Sequence, residues 1–218
     1  LVSIYYTYQY NVDGNRTQIA VYNSTSNGVD GILYTADDVP VYYDAYQYDG
    51  YNYPRQYVRY AGSGVDNIWF NNDDVVDSYA VVETGANGYP SKSVDYDTAG
   101  SDGIWLTGDD VIGGYTSFQY DANDNPTQIA YYSSIGTDNV WFTGDDLVNF
   151  YYVNQYDAIS NKTLAISYWR AGVDGVWLTA DDGANNYDTY EYTDGFKTKA
   201  ISYYDAGPDG LWLTSDDL

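Results

Sequence analysis

Three aspartates recur at fixed spacing in six copies of an eleven-residue segment, and carboxylates in such number can bind a hard cation. Counted from its first glycine, each copy has Asp at positions 3, 10 and 11, as in GVDGVWLTADD from Gly172 to Asp182. Carboxylates held close together repel each other unless a cation lies between them, and calcium takes roughly six to eight oxygens. The pattern predicts one Ca²⁺ per copy, about six in all, bound by Asp30, Asp37, Asp38, Asp66, Asp73, Asp74, Asp102, Asp109, Asp110, Asp138, Asp145, Asp146, Asp174, Asp181, Asp182, Asp209, Asp216 and Asp217.

Two other positions of the segment are restricted. Position 4 is always Gly or Asn, the residue types that best tolerate a positive φ, which predicts a left-handed kink that brings the ends of the loop together. Position 8 is Thr in five copies and Asn71 in the second, and either side chain can supply an oxygen or cap the turn that presents the Asp pair. In an alternative interpretation no metal is bound: T-x-D-D caps a short helical turn, and the first Asp belongs to an ordinary turn.

The residue types that are missing narrow the chemistry. The chain has no His and no Cys, which argues against zinc and copper. Magnesium demands tighter octahedral geometry, so calcium is the predicted ion. No Ser or Lys stands in a nucleophile setting, and an active site is normally single whereas these carboxylates recur six times. The chain is therefore predicted not to be an enzyme.

A repeat architecture must position these aspartates, because those at position 3 follow each other at intervals of 36, 36, 36, 36 and 35 residues. Each repeat has two strand-like runs around a turn rich in Asn, Gly, Asp and Pro, such as ANDNP from Ala122, and the acidic segment follows. The predicted fold is all-β: a single array over 1–218 of 36-residue β-hairpin repeats, an extended meander or a solenoid, with one acidic metal loop per repeat. The repeats are 1–38, 39–74, 75–110, 111–146, 147–182 and 183–217.

Aromatic residues form columns at the same period. Tyr residues recur in both strands, and the apolar triplet inside the loop, such as Val176-Trp177-Leu178, is a candidate third strand. We expect the Trp at position 6 to pack against the next repeat, and a sugar-stacking or electron-hopping ladder is the alternative. This column is Trp69, Trp105, Trp141, Trp177 and Trp212, with Leu33 in the first copy.

The order of Tyr-rich strand, Y-D, turn and strand is seen in QYDANDNPTQIAYY from Gln119 and QYDAISNKTLAISY from Gln155. It resembles the YD repeats of bacterial Rhs-type surface proteins and toxins. The resemblance implies β-hairpins coiled into an extended or shell-like sheet on secreted bacterial proteins.

The charge of the chain limits its partners. A formal net charge of -24 argues against nucleic acid and anionic membrane, and no apolar run is long enough to insert in a membrane. Without Cys no disulfide can stiffen the chain, so bound metal is the expected source of rigidity. The sequence predicts an extracellular or cell-surface structural protein, a calcium-rigidified fibre, stalk or matrix component that associates with copies of itself. The alternatives are an adhesin or module that binds surface glycans through its aromatic residues, and a fragment of an Rhs-like toxin shell.

Overall fold

The computed structural model describes residues 4–218, and this range is all-β, as predicted. The twelve strands pair antiparallel in sequence order, so the sheet is the meander and not the solenoid of the two predicted architectures. Leu1 to Ser3, the first residues of predicted repeat 1–38, lie outside the described residues. The strands are β1 Ile4–Tyr10, β2 Arg16–Asn23, β3 Tyr42–Tyr48, β4 Pro54–Gly62, β5 Val75–Thr84, β6 Pro90–Thr98, β7 Val111–Tyr120, β8 Pro126–Ser134, β9 Leu147–Tyr156, β10 Lys162–Arg170, β11 Gly183–Thr193 and β12 Phe196–Tyr203.

The Asp of the Y-D pair closes the turn of each hairpin that carries it. Asp49 Oδ1 accepts the backbone N–H groups of Tyr51 and Tyr53 over 2.8 and 2.9 Å. Asn52, between them, has a φ of 67°, which Asn tolerates better than most residues. A short carboxylate that bonds the backbone two residues ahead is a common way to fix a tight turn. The same arrangement recurs at Asp121 and Asp157.

Each hairpin joins the next through the acidic loop, which contributes no strand. The triplet Val176-Trp177-Leu178, the candidate third strand, lies in irregular and bend conformations. Leu178 has a φ of 66°, which is incompatible with an extended strand, so that prediction is wrong. Among residues 4–218 no helix is long and apolar enough to span a membrane.

The chain divides into two compact units. One comprises Leu1–Glu83 and Ser93–Gly113, and the other comprises Thr84–Lys92 and Gly114–Leu218. In the first unit Ala20, Tyr22 and Tyr43 form a buried cluster on one sheet face, and Trp69 of the acidic loop packs against it.

In the second unit, Ala130, Val148 and Tyr151 form a similar buried cluster that Trp177 contacts. Ile166, Ala184 and Tyr187 do the same with Trp212. In each unit the acidic loops therefore lie on one face of the sheet, called here the loop face, and side chains alternate between it and the opposite, open face.

The Trp column packs as a core stripe, but not in the predicted direction. Trp69, in repeat 39–74, meets Tyr43 of its own repeat and packs against the cluster that Tyr43 forms with Ala20 and Tyr22 of the preceding repeat. The expectation that each Trp covers the next repeat is therefore wrong. The physical reason is that the loop folds back over the hairpin it follows. The Trp and Tyr rings meet edge to face at 6.0–6.2 Å in five repeats, a favourable aromatic geometry.

Candidate metal centres

Two left-handed residues shape every acidic loop. Those at position 4 were predicted from their Gly and Asn residues and are confirmed, with φ of 58–71° at Gly31, Asn67, Gly103, Asn139, Gly175 and Gly210. Those at position 7 were missed, with φ of 66–71° at Tyr34, Phe70, Leu106, Phe142, Leu178 and Leu213. Bulky residues rarely adopt this conformation, and nothing in their types indicates it.

The glycine at position 1 is required by close approach of the backbone. A Cβ added at any of these six glycines would lie 2.0–2.4 Å from an atom of the Asp at position 10. At Gly100 that atom is the backbone oxygen of Asp109, which no rotamer change can move away. The two ends of the loop therefore meet at this glycine.

The Asp at position 10 ties the start of the loop to its end. Asp37 Oδ2 accepts the N–H groups of Val29 and Asp30 over 2.7 and 3.1 Å, while Oδ1 lies 2.7 Å from Thr35 Oγ1. In the third loop the Thr107 hydroxyl is the main group that lowers the pKa of Asp109 to about 2. The pKa values of the equivalent carboxyls are also lowered, with the Thr hydroxyl as the largest cause, at Asp37, Asp145, Asp181 and Asp216.

The Asp at position 11 faces the sheet. Asp74 Oδ2 accepts the N–H groups of Phe70 and Asn71 over 2.7 and 3.2 Å, and the hydroxyl of Tyr43 over 2.7 Å. Its carboxylate is buried, and within residues 4–218 its Oδ1 has no hydrogen-bond partner. The N–H of position 8 donates to the carboxylate of position 11. This bond is one half of a capping box, the arrangement that the alternative interpretation of T-x-D-D as a cap implies.

A tyrosine of the first strand donates to this Asp in every repeat, across roughly thirty residues of sequence. Sequence reasoning found the Tyr columns and the Asp positions but not the bond between them, although the separation of 31 residues in the four middle pairs was a usable signal. Burial is the main cause that raises the pKa of these tyrosines, and the bond to Asp raises it further. The pairs are Tyr5–Asp38, Tyr43–Asp74, Tyr79–Asp110, Tyr115–Asp146, Tyr151–Asp182 and Tyr187–Asp217.

The Asp at position 3 makes a separate turn. Asp30 Oδ1 accepts the N–H of Ile32 over 2.7 Å, and the other five copies repeat this bond at 2.7–2.8 Å. The three carboxylates of a loop thus accept from different backbone N–H groups. In the described range the structure contains no group of three or more acidic side chains arranged to hold a metal ion. The calcium ligands named from the sequence stay a prediction.

The Thr at position 8 has more acceptors around it than it has protons. In five loops its Oγ1 lies 2.9–3.1 Å from the carbonyl oxygen of position 5 and 2.7–2.8 Å from Oδ1 of position 10. A hydroxyl carries one proton, so one of the two short contacts has none. In the first loop Thr35 Oγ1 also lies 3.4 Å from Oδ1 of Asp30 and of Asp38.

In the second loop the side chain at position 8 is the amide of Asn71, which has enough protons for two acceptors. Asn71 Nδ2 lies 2.9 Å from Asp66 Oδ2 and 2.8 Å from the carbonyl oxygen of Ile68. Its two protons serve both acceptors, while Asn71 Oδ1 accepts the N–H of Asp73 over 3.1 Å. This last bond fixes the orientation of the amide. Of the two predicted uses of Asn71, supplying an oxygen inside the loop is not what the structure shows.

No protein-family model matches the chain, and no curated protein matches it. Among solved structures, a protein of unknown function from Bacteroides fragilis is 10% identical over 66% of this chain and 91% of its own, with a TM-score of 0.43. A Tc holotoxin pore from Photorhabdus luminescens is 10% identical over 98% of this chain and 9% of its own, with a TM-score of 0.38. A porin-like protein from Bacteroides uniformis is 11% identical over 90% of this chain and 86% of its own, with a TM-score of 0.36. Similarity this low assigns no function to the chain.

Proposed function

We propose that the chain is a structural part of an extracellular protein, an array of β-hairpins stiffened by calcium ions in the loops that carry Thr at position 8. The observation that carries the proposal is the crowding of oxygens around that Thr. Two short oxygen–oxygen contacts share one hydroxyl proton in each of these five loops, as at Thr143. A cation with oxygen ligands at about 2.3–2.6 Å draws its ligand oxygens to comparable separations.

The first loop offers the fullest set of donors. Calcium there would take oxygens from the carboxylates of Asp30, Asp37 and Asp38, the hydroxyl of Thr35 and the carbonyl of Ile32. The carboxylate and carbonyl oxygens of this set lie 2.7–3.4 Å from Thr35 Oγ1. All are hard oxygen donors of the kind that calcium prefers. The ion would offset repulsion among the carboxylates and cross-link position 3 to positions 10 and 11.

Bound calcium would stiffen the chain by reducing the repulsion among its negative charges. The chain carries a formal charge of -24, which five Ca²⁺ ions would raise to -14. Reduced self-repulsion favours the compact state. Calcium at millimolar concentration saturates sites of extracellular modules, so even weak loops would be filled outside a cell.

Metal analysis and thermal unfolding test the proposal together. After dialysis against calcium, the protein should hold about five ions, and an excess of chelator should lower its Tm. Asp145→Asn should remove one ion, whereas Asp13→Asn, the same charge change in a hairpin turn, should remove none. A metal-free protein with an unchanged Tm would overturn the proposal.

An aromatic stack with an exposed Trp favours a second candidate, a glycan-binding surface. On the open face Trp169 is 52% exposed and stacks on Phe150 with ring centroids 5.3 Å apart. Tyr131 stacks on the other side of Phe150 at 4.3 Å. Such a platform, shared by the two repeats 111–146 and 147–182, is what the adhesin alternative requires. Sugar binding by calorimetry that Trp169→Ala abolishes and Ile159→Ala preserves would support it; no binding to an oligosaccharide panel would exclude it.

A further inference from the structure

Consecutive acidic loops of the second unit leave a cleft between them on the loop face. The first, called here the 4–5 cleft, lies between the fourth loop (136–146) and the fifth (172–182) and has a volume of about 380 Å³. The second, the 5–6 cleft, lies between the fifth loop and the sixth (207–217) and has a volume of about 470 Å³. Both are lined by the Asp at position 10 of the earlier loop, by the two residues that follow that loop, and by the Gly and Trp at positions 4 and 6 of the later loop. Their walls thus combine a carboxylate with apolar and aromatic groups.

The chain supplies a cation of its own to the 5–6 cleft. Arg170, the last residue of β10, lies opposite Gly183 and lines this cleft. At the equivalent place of the preceding repeat, Ser134 lies opposite Leu147, which lines the 4–5 cleft. A serine carries no charge and is too short to reach as far as an arginine does. Of the described residues that line the 4–5 cleft, two are aspartates and none is basic.

A second cation of the chain lies on the equivalent of another lining residue. Leu178, at position 7 of the fifth loop, lines the 4–5 cleft, and its equivalent in the fourth loop is Phe142. Lys92 Nζ lies 3.6 Å from the centroid of the Phe142 ring, a close cation–π contact. The equivalent of Lys92 one repeat later is Gln128, which is uncharged. The chain thus places one cation on the fourth loop and another in the 5–6 cleft, whereas both equivalents at the 4–5 cleft are neutral.

We propose that the 4–5 cleft binds an arginine side chain of a partner protein. A guanidinium group is planar and stacks on aromatic rings, which matches Trp177, and its positive charge matches Asp145. The apolar stem of the arginine would lie against Leu147 and Val176, which line the cleft and are 56% and 54% exposed. Arg170 makes the same choice of side chain within the chain itself. The formal charge of -24 favours a basic partner.

This site goes beyond the structural function above and does not require calcium, which would instead weaken it. Asp145 is one of the predicted calcium ligands, and an ion in the fourth loop would offset its negative charge. The attraction between Asp145 and a guanidinium group would then fall. Arginine binding should therefore be stronger after treatment with chelator than in calcium. If the metal proposal fails, binding is equal in the two conditions and the arginine site is unaffected.

NMR titration of the full chain with a capped peptide, one arginine between glycines, tests the site. The titration is done in chelator and at low salt, because salt screens the attraction between exposed charges. The indole N–H resonance of Trp177, assigned through Trp177→Phe, should shift saturably as this peptide is added. A peptide with citrulline in place of arginine has nearly the same shape without the charge and should leave the resonance in place. No shift with the arginine peptide, or equal shifts with both peptides, would show that the cleft does not bind a guanidinium group.

Substitutions at two neighbouring serines locate the site. Ser134→Arg gives the 4–5 cleft a cation equivalent to Arg170, so the affinity for the arginine peptide should fall about tenfold or more. Ser133→Arg adds the same charge on the open face, since successive side chains of β8 alternate between faces, and should change the affinity by less than about twofold. Both serines are exposed, so neither change disturbs the buried clusters. Equal affinities of the two variants would contradict the position of the site.

Removal of Arg170 tests the comparison between the two clefts. Arg170→Ala should empty the 5–6 cleft of its cation, so the arginine peptide should then shift the indole resonance of Trp212 as well. Arg16→Ala, the same loss of charge in the first unit, should leave Trp212 without a response. A Trp212 resonance that behaves alike in the two variants would mean that Arg170 does not occupy the place of a bound arginine.

Discussion

The hydroxyl of Tyr79 donates a hydrogen bond to Oδ2 of Asp110 over 2.7 Å, which joins the first strand of a repeat to the last Asp of its loop. Both side chains are buried, at 5% and 9% exposure. The same Tyr ring stacks on Tyr96 at 4.4 Å and meets Trp105 edge to face at 6.1 Å. One tyrosine thus connects the hairpin, the loop and the aromatic stripe.

Tyr79→Phe should lower the Tm by about 3–6 °C, because it leaves a buried carboxylate without one of its donors. Tyr51→Phe, at an exposed turn position, should leave the Tm within about 1 °C of the original. Circular dichroism melting curves of the two variants check this. Equal Tm values would show that the hydroxyl of Tyr79 contributes nothing.

Acid should destabilise the loops within a defined pH range. The folded pKa of Asp109 is about 2, below the ordinary value of 3.8. A carboxyl with a depressed folded pKa contributes stability above its unfolded pKa and loses it as the pH falls toward the folded value. The contribution of Asp109 is therefore present above pH 3.8 and lost between about 4 and 2.

Thr107→Val removes the largest cause of that depression, so the pKa of Asp109 should rise toward 3.8 and the acid unfolding midpoint should move to higher pH. Carboxyl NMR titration and circular dichroism in the presence of chelator measure the two effects. Thr98→Val, at an exposed strand position, serves as the control. An unshifted Asp109 would mean that the Thr107 hydroxyl does not hold its pKa down.

Exchange of position 8 between two loops should move a calcium site. The second and fourth loops share Asn at position 4 and Trp-Phe at positions 6 and 7, but have Asn71 and Thr143 at position 8. Asn71→Thr should raise the calorimetric stoichiometry by about one ion, because it removes the amide protons that satisfy Asp66 and Ile68.

Thr143→Asn should lower the stoichiometry by about one ion for the converse reason. Chelator-treated protein is titrated with calcium in each case, and the double exchange should restore the original number. If neither single variant changes the number of ions, position 8 does not select the metal.

Gly100→Ala should destabilise its loop by more than about 2 kcal/mol, because the new Cβ would lie 2.0 Å from the backbone oxygen of Asp109. Gly108→Ala, in the same loop, meets no atom within 4 Å and should be neutral or slightly stabilising. Urea unfolding curves compare the pair. A tolerated Gly100→Ala would show that the loop ends do not approach as described.

The hairpins could be predicted from the sequence because their signals are local. The Asp of Y-D bonds the backbone two and four residues ahead, so Asp49 and the turn it fixes lie within one short segment. The kink at Asn67 could be predicted for the same reason, since only Gly and Asn occupy that position. The choice between meander and solenoid could not, because both use the same hairpins and differ only in how distant strands pair.

The loop interior was harder to predict because its geometry depends on hydrogen bonds that the residue types do not reveal. Leu106 has a left-handed backbone that its residue type does not indicate. Hydrogen bonds from the backbone N–H groups of Leu106 and Thr107 to Asp110 hold it in that conformation. Asn71 and Thr143 are alternatives at one position, and only the N–H of Asp73 shows that the Asn amide points its nitrogen inward.

The bond from Tyr79 to Asp110, like its counterparts, begins and ends within a single repeat. Duplication or deletion of one whole repeat in the gene would therefore break none of these bonds and leave no tyrosine hydroxyl without its Asp acceptor. Unequal recombination between such similar segments could change the length of the molecule while each remaining unit kept its internal closure. Selection could in this way set the reach of the protein without redesigning a single side chain.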